Sequence, residues 1–128
     1  MIDKTSFRRV SFKAHSTLFK EGDPADAAYL LSDGLVVIIK GRDRLKLATL
    51  GEGEVVGEMA LFDDRPRMAT ALAVKDTEAW EIPREAFGTR LETLDPTMRQ
   101  LFAIFLKRVR DMTDEFMHKK KGADDWLS

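Results

Sequence analysis

The chain has no cysteine among its 128 residues. That absence removes disulfides, thiolate metal sites, cysteine nucleophiles and iron–sulfur ligation together, and it fits a reducing compartment. Histidine is nearly as scarce. His15 and His118 stand far apart on unlike segments, so no metal centre is expected. The N-terminus reads MIDKTSFRRV, with charges at Asp3, Lys4, Arg8 and Arg9 and no apolar run, so neither a signal peptide nor a membrane segment is expected and the cytoplasm follows. An excess of one charge is also missing: 21 Lys and Arg against 22 Asp and Glu leave a net charge of −1. Nothing global draws such a chain to nucleic acid. The balance is nevertheless uneven, with residues 98–121 at +4 and the remainder at −5.

What is present suits one domain with a real core: 44% hydrophobic residues, eight of them Phe side chains. From residue 10 to residue 82, short apolar or alternating runs are broken by turn chemistry such as Glu21-Gly22-Asp23-Pro24, Ser32-Asp33-Gly34, Gly51-Glu52-Gly53, Asp63-Asp64-Arg65-Pro66 and Lys75-Asp76. Strands are expected at 17–20, 28–31, 35–40, 45–50, 69–74 and 78–82, at the close spacing of an antiparallel sandwich or barrel. No helix fits between them, which excludes a parallel α/β sheet. The character then changes. Pro83 suits a first helical turn, followed by Phe87, Leu91 and Leu94 at helical spacing. Asp95-Pro96 reads as N-cap and first position of a long helix that meets no Pro or Gly until Gly122. Leu101, Phe105, Met112 and Phe116 form a stripe on it, with Phe102, Leu106 and Val109 beside them. This face either packs on its own domain or seats a partner or second copy. Lys119-Lys120-Lys121 complements the dipole of the helix end. The domain is expected over 1–121, with the sandwich at about 10–82 and the helices at about 83–121, and 122–128 as a flexible tail.

The chemistry concentrates in residues 51–73, GEGEVVGEMALFDDRPRMATALA. Gly57 permits a sharp turn, and Glu58-Met59-Ala60-Leu61 favour a single helical turn whose free amides make a small anion seat. Pro66 restricts the chain before Arg67, and Ala69-Thr70-Ala71 re-enters a strand with side chains small enough for a ligand to approach. A guanidinium at that entrance can grip phosphate oxygens with two parallel N–H bonds, and an ionised Glu58 can accept from sugar hydroxyls. The bland alternative is an ion pair between Glu58 and Arg67.

The run Gly57-Glu58-Met59-Ala60-Leu61, five residues ending in Pro66-Arg67, then Ala69-Thr70, closely resembles the phosphate-binding cassette of cyclic-nucleotide-binding domains, the family of catabolite activator proteins and protein kinase A regulatory subunits. Phe19-Lys20-Glu21-Gly22-Asp23-Pro24-Ala25-Asp26, Ala28-Tyr29-Leu30-Leu31 and Gly34 resemble that family's early strands and turns. The resemblance implies a mainly β fold: an antiparallel jelly roll of eight strands with a short cassette helix and two C-terminal helices. It further implies that Arg67 contacts a cyclic phosphate and Glu58 the ribose 2′-hydroxyl, with amides near Met59, Ala60, Met68 and Ala69 completing the seat. Met68 stands where a hydroxyl is associated with guanine recognition, so the expected ligand is cAMP and cGMP less so. His15-Ser16 replaces a Pro-Gly or Lys-Gly pair, Val56 replaces a common Phe, and the N-terminal helical segment is abbreviated to a few residues around Phe7. Arg108 and Thr113 on the long helix are the groups expected to cap the purine.

The function implied is that of a sensor, not an enzyme and without a cofactor, whose output is movement of the C-terminal helix toward a protein effector or a second copy. The alternative is a degenerate domain that binds other proteins without nucleotide. A cupin-type enzyme would need a cluster of His and carboxylate ligands, and a DNA-binding factor would need a reading helix after the sandwich. Neither is expected here.

Overall fold

The computed structural model describes residues 7–61 and 64–127. The chain divides into two compact units, Met1–Thr89 and Arg90–Ser128. In the first, eight strands run in order: β1 Arg8–Phe12, β2 Thr17–Phe19, β3 Ala27–Asp33, β4 Leu35–Lys40, β5 Leu45–Gly51, β6 Val55–Val56, β7 Thr70–Ala73 and β8 Thr77–Pro83. A one-turn 3₁₀ helix, Glu58–Leu61, lies between β6 and β7, and α1 follows at Arg84–Leu91. All pairings are antiparallel, in two four-stranded sheets of order β1-β8-β3-β6 and β2-β7-β4-β5.

This is the expected eight-stranded sandwich, with β1 and the two-residue β6 as strands that the hydrophobic pattern did not mark. Arg8 is already in β1, paired with Glu81, so no helical turn follows Phe7 among the described residues. Pro83 closes β8 opposite Ala27 and does not open a helix. A strand end tolerates a residue that cannot donate a ladder hydrogen bond.

Period-two burial explains the strands. Along β7, Ala71 and Ala73 are buried while Thr70 and Leu72 are only partly so. β3 is covered on both faces at its start, with the 3₁₀ helix also in contact with it, so Ala27, Ala28 and Tyr29 are buried in succession. Leu18, Tyr29, Leu31, Val36, Val56, Ala71, Ala73 and Ala79 form the shared core of both sheets, with Phe12, Phe19, Ile38 and Leu50 packed against it. Each large aliphatic there contributes about 2 kcal/mol.

The second unit holds α2, Pro96–Leu127, opened as expected by Asp95, whose carboxylate accepts from the Met98 amide at 3.0 Å. The helix continues past Gly122 through the segment expected as a tail, apart from Ser128, which lies outside the described residues, as do Asp63 and residues 1–6. The stripe residues Leu101, Phe105, Met112 and Phe116 are exposed, together with Met98, Ile104 and Val109.

One turn is set by space. Gly34 joins β3 to β4 at φ 116°, and a Cβ built there would stand 2.3 Å from Thr77 Oγ1 and 2.6 Å from Thr77 Cα. Thr77 cannot yield, because it is buried and its hydroxyl both donates to the Lys75 carbonyl at 2.9 Å and accepts from the Leu35 amide at 3.3 Å. Gly34→Ala is therefore expected to lower unfolding stability by about 3 kcal/mol or more, measured by urea denaturation.

Candidate functional site

The site begins where β6 ends. Gly57 takes φ 76°, a conformation that other residues enter only with strain, and it turns the chain into the 3₁₀ helix, where the Ala60 amide donates to the Gly57 carbonyl at 3.1 Å. The expected single helical turn is therefore present. Glu58 is exposed on it and Ala60 is buried. The chain returns through exposed residues 64–66 and buries Arg67 just before β7.

Arg67 is only 8% exposed, yet no carboxylate lies within ion-pair distance of it among the described residues. Its Nη2 donates to the Ala27 carbonyl at 2.6 Å and its Nη1 to the Gly57 carbonyl at 3.3 Å. Its Cζ sits 3.9 Å from the centre of the Phe19 ring. Its Nε is buried without a hydrogen-bond partner. Burial lowers the guanidinium pKa, opposed by the Tyr29, Asp26 and Asp23 groups nearby. Arginine nevertheless stays charged in proteins. The cation is thus supported by carbonyl dipoles and a ring face, which orient it without cancelling its charge.

The surroundings immobilise this arrangement. The Arg67 amide donates to the Asp23 carbonyl at 2.8 Å, and the Gly22 amide donates to the Arg67 carbonyl at 2.8 Å, so the β2–β3 loop holds its backbone on both sides. Phe19 stacks on Tyr29 with centroids 6.4 Å apart. Burial, with the Glu81 carboxylate, holds the Tyr29 phenol above its ordinary range and therefore neutral.

Of the residues expected at the site, Gly57 and Arg67 are brought into direct contact. Met59 and Ala60 follow the first, and Met68 and Ala69 the second. Among the described residues, the Met68 and Ala69 amides make no hydrogen bond outside the strand ladders. The Ala60 amide is engaged by Gly57. Glu58 and Arg67 form no ion pair, which removes the bland alternative. Arg108 and Thr113 belong to α2 in the other unit, where the Thr113 hydroxyl donates to the Val109 carbonyl at 2.9 Å.

Sequence reasoning missed Arg84, the first residue of α1. Its Nε donates to the Ala60 carbonyl at 2.6 Å, its Nη2 to the Ala25 carbonyl, and its amide to the Asp26 carbonyl at 2.9 Å. It ties the cassette helix to the β2–β3 loop. No spacing marks it, because its partners are backbone carbonyls from distant segments.

The class defined so far is an antiparallel β-sandwich with a one-turn helix beside a buried guanidinium. Comparison with known proteins narrows the class. A model of the cyclic nucleotide-binding domain family matches residues 9–93. The cyclic AMP receptor protein of Thermus thermophilus is 34% identical over 108 residues, 82% of this chain and 50% of that one. The cAMP-dependent protein kinase regulatory subunit of Aspergillus niger is 34% identical over 91 residues, 71% of this chain and 22% of that one. Among solved structures, the EAL enzyme Bd1971 in its half-site-occupied form superposes with a TM-score of 0.73 at 33% identity, over 84% of this chain and 98% of that one. The chain belongs to the cyclic nucleotide-binding domain family. It spans half or less of the length of these two relatives, and the domain also occurs within an enzyme. Among the described residues no helix is long and apolar enough to cross a membrane.

A Cβ at Gly57 would fall 2.5 Å from Arg67 Nη1 and 3.0 Å from the Phe19 ring. Gly57→Ala is thus expected to displace the guanidinium while keeping its charge, and to weaken cyclic-nucleotide affinity by about tenfold or more in calorimetry. A thermal melt of the unliganded variant separates that loss from the cost of the backbone strain.

Proposed function

We propose that this domain is a cAMP sensor, cytoplasmic and without catalysis of its own, whose output is movement of α2. The observation that carries the reading is the buried Arg67 guanidinium, oriented by Ala27, Gly57 and Phe19 and paired with no carboxylate among the described residues. Such a cation gains most from an anion that brings its own negative charge and two oxygens for the fork. A cyclic phosphate meets that description. Glu58, exposed on the cassette turn, accepts from the ribose 2′-hydroxyl, and the amides of Met59, Met68 and Ala69 complete the seat. The EAL enzyme Bd1971 has been solved with cAMP bound and with cGMP bound, at 30% and 31% identity to this chain, which supports the ligand class. Met68 provides no hydroxyl for guanine, and this favours cAMP.

In this reading ligand shifts the population of two α2 arrangements, and it does so only through its differential affinity for them. Arg108 and Thr113 are the α2 groups assigned to the purine. The exposed stripe of Leu101, Phe105, Met112 and Phe116 is assigned to a protein effector or a second copy of the chain.

Calorimetry and thermal shift with cAMP, cGMP and linear AMP test the reading. cAMP is expected to bind at least as tightly as cGMP and to add about 2.7 kcal/mol of stability at a hundredfold excess over Kd. Arg67→Lys is expected to lose about two decades of affinity, since an ammonium keeps the charge but not the fork. Glu58→Gln should lose less, and only for ligands with a 2′-hydroxyl, whereas Met68→Thr should strengthen cGMP. A wild-type protein indifferent to both cyclic nucleotides would overturn the reading. Sedimentation with and without cAMP tests the α2 stripe: a strict monomer at high micromolar concentration leaves the effector as its partner.

A further inference from the structure

The segment that carries Arg67 into β7 is held from a second direction by two residues that no role above uses. Lys40 ends β4, one residue beyond the Ile39–Thr70 pair that closes the β4–β7 register. Its ammonium donates to the Met68 carbonyl at 2.8 Å, 28 residues away in the chain. Glu21, in the β2–β3 loop, lies 3.7 Å from the same ammonium, accepts from the Gly41 amide at 3.0 Å, and through its own amide donates to Thr70 Oγ1 at 2.9 Å. Three of the four residues from 67 to 70 are thereby pinned from outside: Arg67 by Gly22 and Asp23, Met68 by Lys40, and Thr70 by Glu21.

The ion pair is the lesser part of this latch. The Glu21 side chain is 41% exposed, and a partly exposed pair at that separation adds little. The contact that matters most is the Lys40 bond to the Met68 carbonyl, since that carbonyl and the Ala69 amide share one peptide plane; the Glu21 carboxylate, held by the Gly41 amide, steadies the loop whose main-chain amide reaches Thr70 Oγ1. Ordering such amides in advance lowers the entropy lost when a ligand binds.

We propose that Lys40 and Glu21 are positioning residues of the phosphate seat, latching residues 67–70 to the β4–β5 hairpin and the β2–β3 loop before nucleotide arrives. The inference rests on the assignment of that segment to the cyclic phosphate. Lys40→Met keeps the aliphatic stem and removes the donor. It is expected to weaken cAMP binding about tenfold, the scale of a lost charged hydrogen bond, while Lys40→Arg recovers most of the affinity. In the unliganded protein, amide exchange is expected to quicken at Arg67 and Gly22, whose amides are hydrogen-bonded between this segment and the β2–β3 loop, in both Lys40→Met and Glu21→Ala, with the strands β3 and β8 unchanged. The double variant should lose less than the sum of the single losses. Affinity within twofold of wild type, with exchange at Arg67 and Gly22 unaltered, would overturn the proposal. So would faster exchange throughout the sandwich with affinity loss tracking the melting temperature, which marks a general structural role. A wild type that binds neither cyclic nucleotide fails the functional reading instead, and the exchange data still decide whether the latch orders residues 67–70.

Discussion

Burying a guanidinium with no counter-ion costs several kcal/mol unless its donors and charge are met in other ways, and much of this sandwich can be read as the means of meeting that cost at Arg67. Two carbonyls, from β3 and from the turn after β6, take its terminal N–H groups. A ring from β2 covers one face. The β2–β3 loop fastens its amide and carbonyl. Each partner comes from a different element, so the sheets must be paired correctly before the cation can be housed. A nearby carboxylate would have made a cheaper interior and a poorer anion site, because the charge would already be neutralised.

Small residues make the same point sterically. Gly57 has no Cβ because Arg67 Nη1 and the Phe19 ring occupy its place, and Gly34 has none because Thr77 does. Ala71 and Ala73 keep the inner face of β7 low, and the buried Ala69 precedes them. The packing that stabilises the sandwich and the packing that shapes the seat are continuous, since Phe19 belongs both to the core and to the guanidinium's support.

Arg84 extends this dependence toward the C-terminal helices. It binds the carbonyls of Ala60 and Ala25 at once and begins α1, so a shift of the cassette turn alters what the start of α1 holds. α2 lies in the second compact unit and carries an exposed apolar stripe. The family resemblance and the buried cation point the same way. One gives the family to which the chain belongs, and the other gives the feature of this chain on which the proposed function rests.

Features that depend on a few consecutive residues were legible in the sequence: the turn at Gly57, the single turn at Glu58–Leu61, the Asp95 cap of α2 and six of the eight strands, each set by local dihedral preference or side-chain period. β6 was not legible, because two residues carry no period, and β1 was not, because its exposed charges interrupt the apolar pattern. Pro83 shows the same limit, since the strand partner beside it, and not its own helix preference, settled its state. Arg67 could be singled out from its motif, but whether it met Glu58 or other groups was decided by Ala27, forty residues away, and by Phe19. Lys40, Glu21 and Arg84 left no trace in the motif at all. Lys40 and Arg84 hold main-chain carbonyls and the Glu21 carboxylate a main-chain amide, groups that nearly any sequence offers, so only the folding of distant strands against one another determined which of them these side chains would hold.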